Sequence, residues 1–289
     1  MAWRNVLITQ HSKLSYKMNH LVVKTETDVH QIPLDDIQCL IIGTTRAVIT
    51  SYAVMMLLRH DVKIVFTDDK SSPIGEIDGY YNNHQRNSRL KKQMVWKEDH
   101  RQKLWQQVIR NKMKNQQQLL QDLKQDCEQF TELIDGVDEG DTTNREAVAA
   151  RLYFTRLIDT GFTRRDEEQP VNAMLNYGYS ILLSAFSREI NALGYLTNFG
   201  IHHDSTENQY NLASDLMEPL RPLVDEVVQR HKEEPLSLDI KVELISLLSD
   251  PINFNGHEAL VASVCTEMVR DSVGYLNDET SLPHWEFEL

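Results

Sequence analysis

A chain of 289 residues, 41% hydrophobic and 25% charged, can bury a real core and build one or two soluble globular domains. No apolar run reaches the roughly 18 residues of a membrane helix, the start Met1-Ala2-Trp3-Arg4-Asn5 lacks a secretory layout, and Cys39, Cys127 and Cys265 form no CxxC pair, so no disulfide framework or cysteine zinc site is indicated and a reducing cytoplasm is expected. The net charge of −13 argues against nucleic acid, but it is uneven: between His84 and Asn115 ten basic residues face two acids, leaving +8 there and −21 elsewhere.

Residues 1 to about 70 read as mostly strands. Val6-Leu7-Ile8-Thr9, Leu21-Val22-Val23-Lys24 and Cys39-Leu40-Ile41-Ile42 are short apolar runs rich in β-branched residues. Ile49 to Leu58 reads as a buried helix capped by Thr50 or Ser51, and Val62 to Thr67 as a further strand. Asp68 to Gly75 is turn chemistry. These signals predict a β-rich domain over 1–75 and a linker over 76–84.

From Gln85 the strand signal disappears. Leu104, Val108, Ile109, Leu119, Leu120 and Leu123 keep helical spacing. The basic run over 86–114 is either a phosphate-binding surface or a solvated face that keeps an acidic protein soluble. Gly136 to Asp141 is a break, Thr143 or Asn144 caps the next helix, and Pro170 opens a long apolar helix through about Leu193. Further helices are expected at 208–231, 239–249 and 257–275. The predicted fold is α+β, a small β-rich domain followed by an all-α domain over 85–289. A β-domain of about 70 residues is marginal alone, which suggests a homodimer formed through it. In the acidic tail, Trp285 and Phe287 are anchors for a partner groove or part of a disordered end.

The chemistry concentrates at Glu146, His203, Asp215 and Glu218. Two carboxylates and an imidazole can hold one small divalent cation, because anionic oxygens offset its charge and a neutral ring nitrogen fills a further position. Such a cation suits phosphodiester chemistry. Each residue also has an ordinary reading: Glu146 relieves a helix dipole, a loop histidine is solvated, and Asp215 with Glu218 is a surface acidic pair three residues apart on one helical face. Pro219 should kink the helix beside that pair.

Four segments carry a resemblance: Glu146-Ala147-Val148-Ala149-Ala150-Arg151-Leu152-Tyr153-Phe154, Asn172-Ala173-Met174-Leu175-Asn176-Tyr177-Gly178-Tyr179, Gly200-Ile201-His202-His203, and Asp215-Leu216-Met217-Glu218-Pro219-Leu220-Arg221-Pro222. Together with Pro33-Leu34-Asp35-Asp36-Ile37 they resemble the CRISPR-associated spacer integrase family, the larger subunit of the adaptation complex, over nearly the whole chain. The wording looks most like subtype II-A members. Ala147 stands where that family often has Gly, and the doubled histidine leaves two candidates, of which Gly200 aligned with the family glycine selects His203.

The resemblance implies a metal-dependent DNA integrase or endonuclease. It would join the 3′-OH ends of short double-stranded foreign DNA to the repeat of leader-repeat DNA by transesterification. Glu146, His203 and Glu218 would hold Mg²⁺ or Mn²⁺, with Asp215 as a further ligand or a support beside them. Arg145, Arg151, Arg164 and Arg165 are the expected phosphate contacts near the site. The implied partners are a second copy of the chain, a small ferredoxin-like adaptation subunit, a ring-forming DNA-end binding protein and the effector nuclease. Two rivals remain, a stand-alone metal nuclease and a DNA-binding scaffold without catalysis.

Overall fold

The computed structural model describes residues 4–67, 73–77, 79, 86–166 and 169–288. The chain divides into two compact units, Met1–Asn82 and Asn83–Leu289.

The first unit holds β1 (Arg4–Ile8), β2 (Lys13–Lys17), β3 (His20–Lys24), β4 (Val29–Pro33), β5 (Ile37–Ile42), β6 (Val48–Ile49), α1 (Ser51–Arg59), β7 (Lys63–Thr67) and β8 (Pro73–Ile77). They make two four-stranded sheets, ordered β1-β5-β7-β8 and β4-β3-β2-β6. β1, β5 and β7 run parallel, with β5 central. Residues 39–42 of β5 are all buried, as the interior strand of a covered parallel sheet requires. A two-residue turn joins β2 to β3, with Met18 and Asn19 both at positive φ, the conformation that matches strand twist in a tight hairpin. Thr50 caps α1 by accepting the Ala53 amide at 3.2 Å. Leu14, Leu21, Leu34, Leu40, Leu57 and Ile64 form the core. β8 covers residues where turn and linker were expected; the turn at 68–72 and most of the linker lie outside the described residues.

The second unit runs α2 (Arg86–Gln93), α3 (Glu98–Asp122), α4 (Glu128–Asp135), α5 (Arg145–Leu157), α6 (Pro170–Ala192), α7 (Asn211–Leu216), a 3₁₀ turn at Glu218–Leu220, α8 (Arg221–Arg230), α9 (Leu238–Ser246), β9 (Pro251–Phe254), β10 (His257–Leu260), α10 (Val261–Leu276) and β11 (Phe287–Glu288). α3 is the central post, packed by α4, α5, α8, α10 and the 3₁₀ turn. α6 and α8 meet at Gly178, where a Cβ would lie 2.3 Å from Val224 Cγ1. No described helix is long and apolar enough to cross a membrane.

The expectation of an all-α second domain needs correction. β9, β10 and β11 form an antiparallel sheet in the order β10-β9-β11. Asn255 at φ 51 and Gly256 at φ 77 form its tight turn, in the stretch between the helices expected at 239–249 and 257–275. The tail is folded against its own unit: Trp285 is 1% exposed and donates its indole N–H to Asp271 Oδ2 at 3.1 Å. It is therefore an internal anchor and not a free one. The helix expected over 208–231 breaks at Glu218-Pro219, where Pro219 has no amide to continue the ladder.

Candidate active site

Glu146 stands in the first turn of α5. Neither Thr143 nor Asn144 caps that helix with its side chain; Asn144 is left-handed at φ 54. The buried Asp141 carboxylate does so, accepting the Arg145 amide at 2.8 Å and the Glu146 amide at 3.0 Å. This fixes the backbone from which the Glu146 side chain projects, itself 28% exposed.

His203 is set by a different device. Asp215, in α7, is fully buried, and its carboxylate accepts the amides of Ile201 at 2.7 Å, His202 at 3.0 Å and His203 at 3.3 Å. It also meets His203 Nδ1. That contact selects the tautomer with the proton on Nδ1 and leaves Nε2 as the outward nitrogen. It also raises the His203 pKa, against the opposing effect of partial burial. Gly200 is required here because a Cβ would lie 2.3 Å from the His203 carbonyl oxygen and 2.6 Å from Asp215 Oδ2. His202 turns away from Asp215 and stacks on Trp105, centroids 4.2 Å apart and planes 3° apart. Trp105 also meets His203 edge-on.

Glu218 opens the 3₁₀ turn and is buried. Arg221 Nη2 lies 2.9 Å from its Oε1, and Lys112 Nζ lies 2.7 Å from its Oε2. The same ammonium is 2.5 Å from Glu146 Oε1. Asn115 ties α3 to the turn by donating to the Pro219 carbonyl at 2.7 Å. Burial alone would raise the Glu218 pKa, but Arg221 and Lys112 outweigh it and the carboxyl is held below its usual range. Burial alone would lower the Lys112 pKa; Glu218 and Glu146 outweigh it and hold the amine protonated.

Behind this cluster lies Asp225 on α8, buried and accepting the Tyr153 hydroxyl at 2.9 Å and the Tyr179 hydroxyl. Arg221 lies over the Tyr179 ring at 4.7 Å. Among the four arginines singled out in the sequence, Arg151 and Arg165 are exposed, and Arg145 is half-buried with its guanidinium over Gly136. Arg164 donates to Asn172 Oδ1 at 2.6 Å and Asn176 Oδ1 at 2.7 Å, so α6 holds its head in place.

Glu146 and Glu218 thus share one cation, with His203 positioned by a carboxylate that is itself occupied by four donors. Among the described residues no three His, Cys, Asp or Glu side chains converge at metal-binding distances. The donor chemistry nonetheless fits a hard divalent ion: two carboxylates already gathered around one cationic head, the Lys112 ammonium, and an imidazole whose Nδ1 is held by Asp215 and whose Nε2 faces outward. Asp215 has little left to offer an ion. Lys112, Asp225 and Trp105 complete the site although the sequence did not single them out, and so does Arg221, which the last motif carries without an assigned role. The available signal for Lys112 was its place in the buried stripe Leu104, Val108, Lys112 of α3, where an apolar residue is expected.

Residues 6–234 match the family described as CRISPR associated protein Cas1. A CRISPR-associated endonuclease Cas1 of Neisseria meningitidis serogroup C is 33% identical over 288 residues, covering 97% of this chain and 94% of that protein. A casposase bound to integration product superposes with a TM-score of 0.79 at 19% identity, over 97% of this chain and 92% of that one. A chain of a Cas6-RT-Cas1–Cas2 complex gives 0.76 at 18% identity, over 96% of this chain and 35% of that one.

Proposed function

Because the chain belongs to the Cas1 family of CRISPR-associated proteins, endonucleases and integrases of CRISPR adaptation, we propose that it joins the 3′-OH ends of short foreign DNA to the CRISPR repeat beside the leader. In each join the 3′-hydroxyl of the fragment loses its proton and its oxygen forms a new bond to the phosphorus at a repeat end, while the bond from that phosphorus to the 3′-oxygen of the flanking nucleotide breaks and that oxygen takes up a proton. The observation that carries this reading is the convergence of Glu146 and Glu218 on one cation, beside an imidazole oriented by Asp215, at the segments that hold the family motifs.

Glu146, His203 and Glu218 are the residues that would hold Mg²⁺ or Mn²⁺. When bound, the ion would polarise the phosphate and stabilise the leaving oxygen. Asp215 keeps the His203 ring in one orientation and one tautomer. Arg221 holds Glu218 ionised, so that the carboxylate is ready as a ligand at neutral pH. Arg164, Arg165 and Arg151 would contact phosphates of the incoming DNA, and Arg164 has its head fixed by Asn172 and Asn176.

The partners follow the same reading: a second copy of the chain, a small ferredoxin-like subunit like the Cas2 named in the solved Cas1–Cas2 complex, and, for a subtype II-A system, a ring-forming DNA-end binding protein and the effector nuclease. Light scattering of the purified chain, with and without the small subunit, tests the assembly. A second reading, a stand-alone metal-dependent nuclease, draws on the endonuclease name of the Neisseria relative. Supplying a DNA with free 3′ ends together with a repeat-bearing plasmid and Mn²⁺ separates the two. Joined products support integration, cut products support hydrolysis, and neither leaves a DNA-binding scaffold.

A further inference from the structure

Lys112 is a buried lysine on the central helix of the second unit, with its side chain 8% exposed. Its ammonium is 2.5 Å from Glu146 Oε1 and 2.7 Å from Glu218 Oε2, and it is the group that links these two carboxylates. The other Glu218 oxygen is taken by Arg221 at 2.9 Å. Two carboxylates brought this close repel each other unless a cation lies between them, and here an amino-acid side chain supplies it. A divalent ion would contact the same oxygens at about 2.0–2.6 Å. An ammonium and a divalent ion cannot both keep those lone pairs, because two cations would then lie within a few ångströms of each other. Arg221 has a separate oxygen and a planar head lying over Tyr179, so it can stay. Lys112 carries its charge on a flexible four-carbon stem and can leave.

Resting on the metal-dependent reading of this site, we propose that Lys112 is the resident counter-ion of the metal-free form, and that a divalent cation binds by displacing its ammonium from Glu146 and Glu218. The lysine keeps the two acids together when no metal is bound. It also lowers the apparent affinity for metal, because every binding event must break both of its ion pairs.

The test is Mn²⁺ binding to the purified full chain, by calorimetric titration and by the shift in melting temperature. Lys112→Met is expected to melt below wild type in chelator, to bind Mn²⁺ about tenfold tighter or more, and to gain more melting temperature from Mn²⁺ than wild type does. A folded Lys112→Met that binds Mn²⁺ no tighter overturns the proposal. Should that variant fail to fold, the wild type still decides. Amine labelling of Lys112, read by mass spectrometry, is expected to be slow in chelator and faster with Mn²⁺, and labelling indifferent to Mn²⁺ overturns the proposal. Glu146→Gln separates this failure from that of the metal reading. Wild-type binding that Glu146→Gln abolishes, with Lys112→Met unchanged from wild type, rejects the displacement alone. No Mn²⁺ binding by wild type or by Lys112→Met rejects the metal site and the displacement together.

Discussion

His202 and His203 are neighbours in sequence, yet the structure commits them to different tasks. His203 gives Nδ1 to a buried carboxylate, whereas His202 lays its ring on Trp105. His203→Ala and Glu146→Ala are therefore expected to abolish joining, and His202→Ala to reduce it only mildly, in an assay with Mn²⁺ and DNA carrying free 3′ ends. The opposite ranking of the histidines would reassign the ligand. Glu218→Gln is a cleaner probe than Glu218→Ala, because it removes the charge while keeping the volume and an oxygen acceptor beside the buried Lys112 and the half-buried Arg221. Asp225 supplies a pH test. Burial pushes its carboxyl up to about 6, and the Tyr179 and Tyr153 hydroxyls, with Arg221 and Lys112, offset only part of that. A raised folded pKa means that this group's stabilising contribution is complete below the ordinary carboxylate pKa and is lost as pH rises through about 6. From about 1.4 kcal/mol per unit, the loss is at most about 3 kcal/mol. Urea unfolding at pH 4.5, 5.5, 6.5 and 7.5 should show this decline in wild type and a flatter profile in Asp225→Asn; equal profiles would remove Asp225 as its source. Glu146, His203 and Glu218 are legible in the sequence because each sits in a distinctive motif. Lys112 is not, because it reads as one of ten bases in a charged run, and only its helical register betrays its burial.

At the scale of elements, close approach explains what composition alone cannot. Gly178 lets α6 touch α8, so Gly178→Ala would drive a Cβ into Val224. A loss of about 1–3 kcal/mol is expected, measurable by thermal or urea unfolding, and Val224→Ala should restore part of it by vacating the space. A wild-type midpoint for Gly178→Ala would show that the helices can part freely. The strands with continuous apolar runs, β3, β5 and β7, are readable from sequence, as are the Thr50 cap and the Pro170 start. β2 and β4 are not: Lys13-Leu14-Ser15-Tyr16-Lys17 and Val29-His30-Gln31-Ile32-Pro33 mix polar and apolar residues, and neither makes an apolar run. β8 hides for another reason. Its Glu76 pairs with Lys63 at 2.6 Å, and Lys63 lies buried in β7, so a charged residue in a turn-like segment is in fact part of a packed sheet. Of the β9–β10 hairpin only β10 falls inside an expected helix, that over 257–275; β9 and the Asn255-Gly256 turn lie in the stretch before it, to which no element was assigned.

For the whole molecule, a net charge of −13 must coexist with the DNA of the proposed function, and part of the basic run is already paired within the protein. Lys92 pairs with Glu279, Lys97 with Asp278, and Lys112 with the two site glutamates. Arg151, Arg164 and Arg165, all exposed, are the phosphate contacts of the proposed function. Reversing all three to Glu should flatten the plot of log affinity against log salt by about 0.9 for each duplex phosphate that the protein no longer neutralises; an unchanged slope would move the DNA to another face. The pairs between the basic run and the tail have a further consequence. Trp96 Nε1 donates to Asn277 Oδ1 at 3.0 Å, and His100 stacks on Tyr275 at 4.7 Å, so residues near 92–100 are clasped to residues near 275–279 across almost the full length of the helical unit. Closing so long a loop is entropically costly, while the exposed ion pairs in the clasp each contribute little. The clasp should therefore be the seam at which this unit first opens. Brief proteolysis under native conditions should cut near 277–284 while α3 stays intact, and the seam's amides should exchange with deuterium well before those of α3.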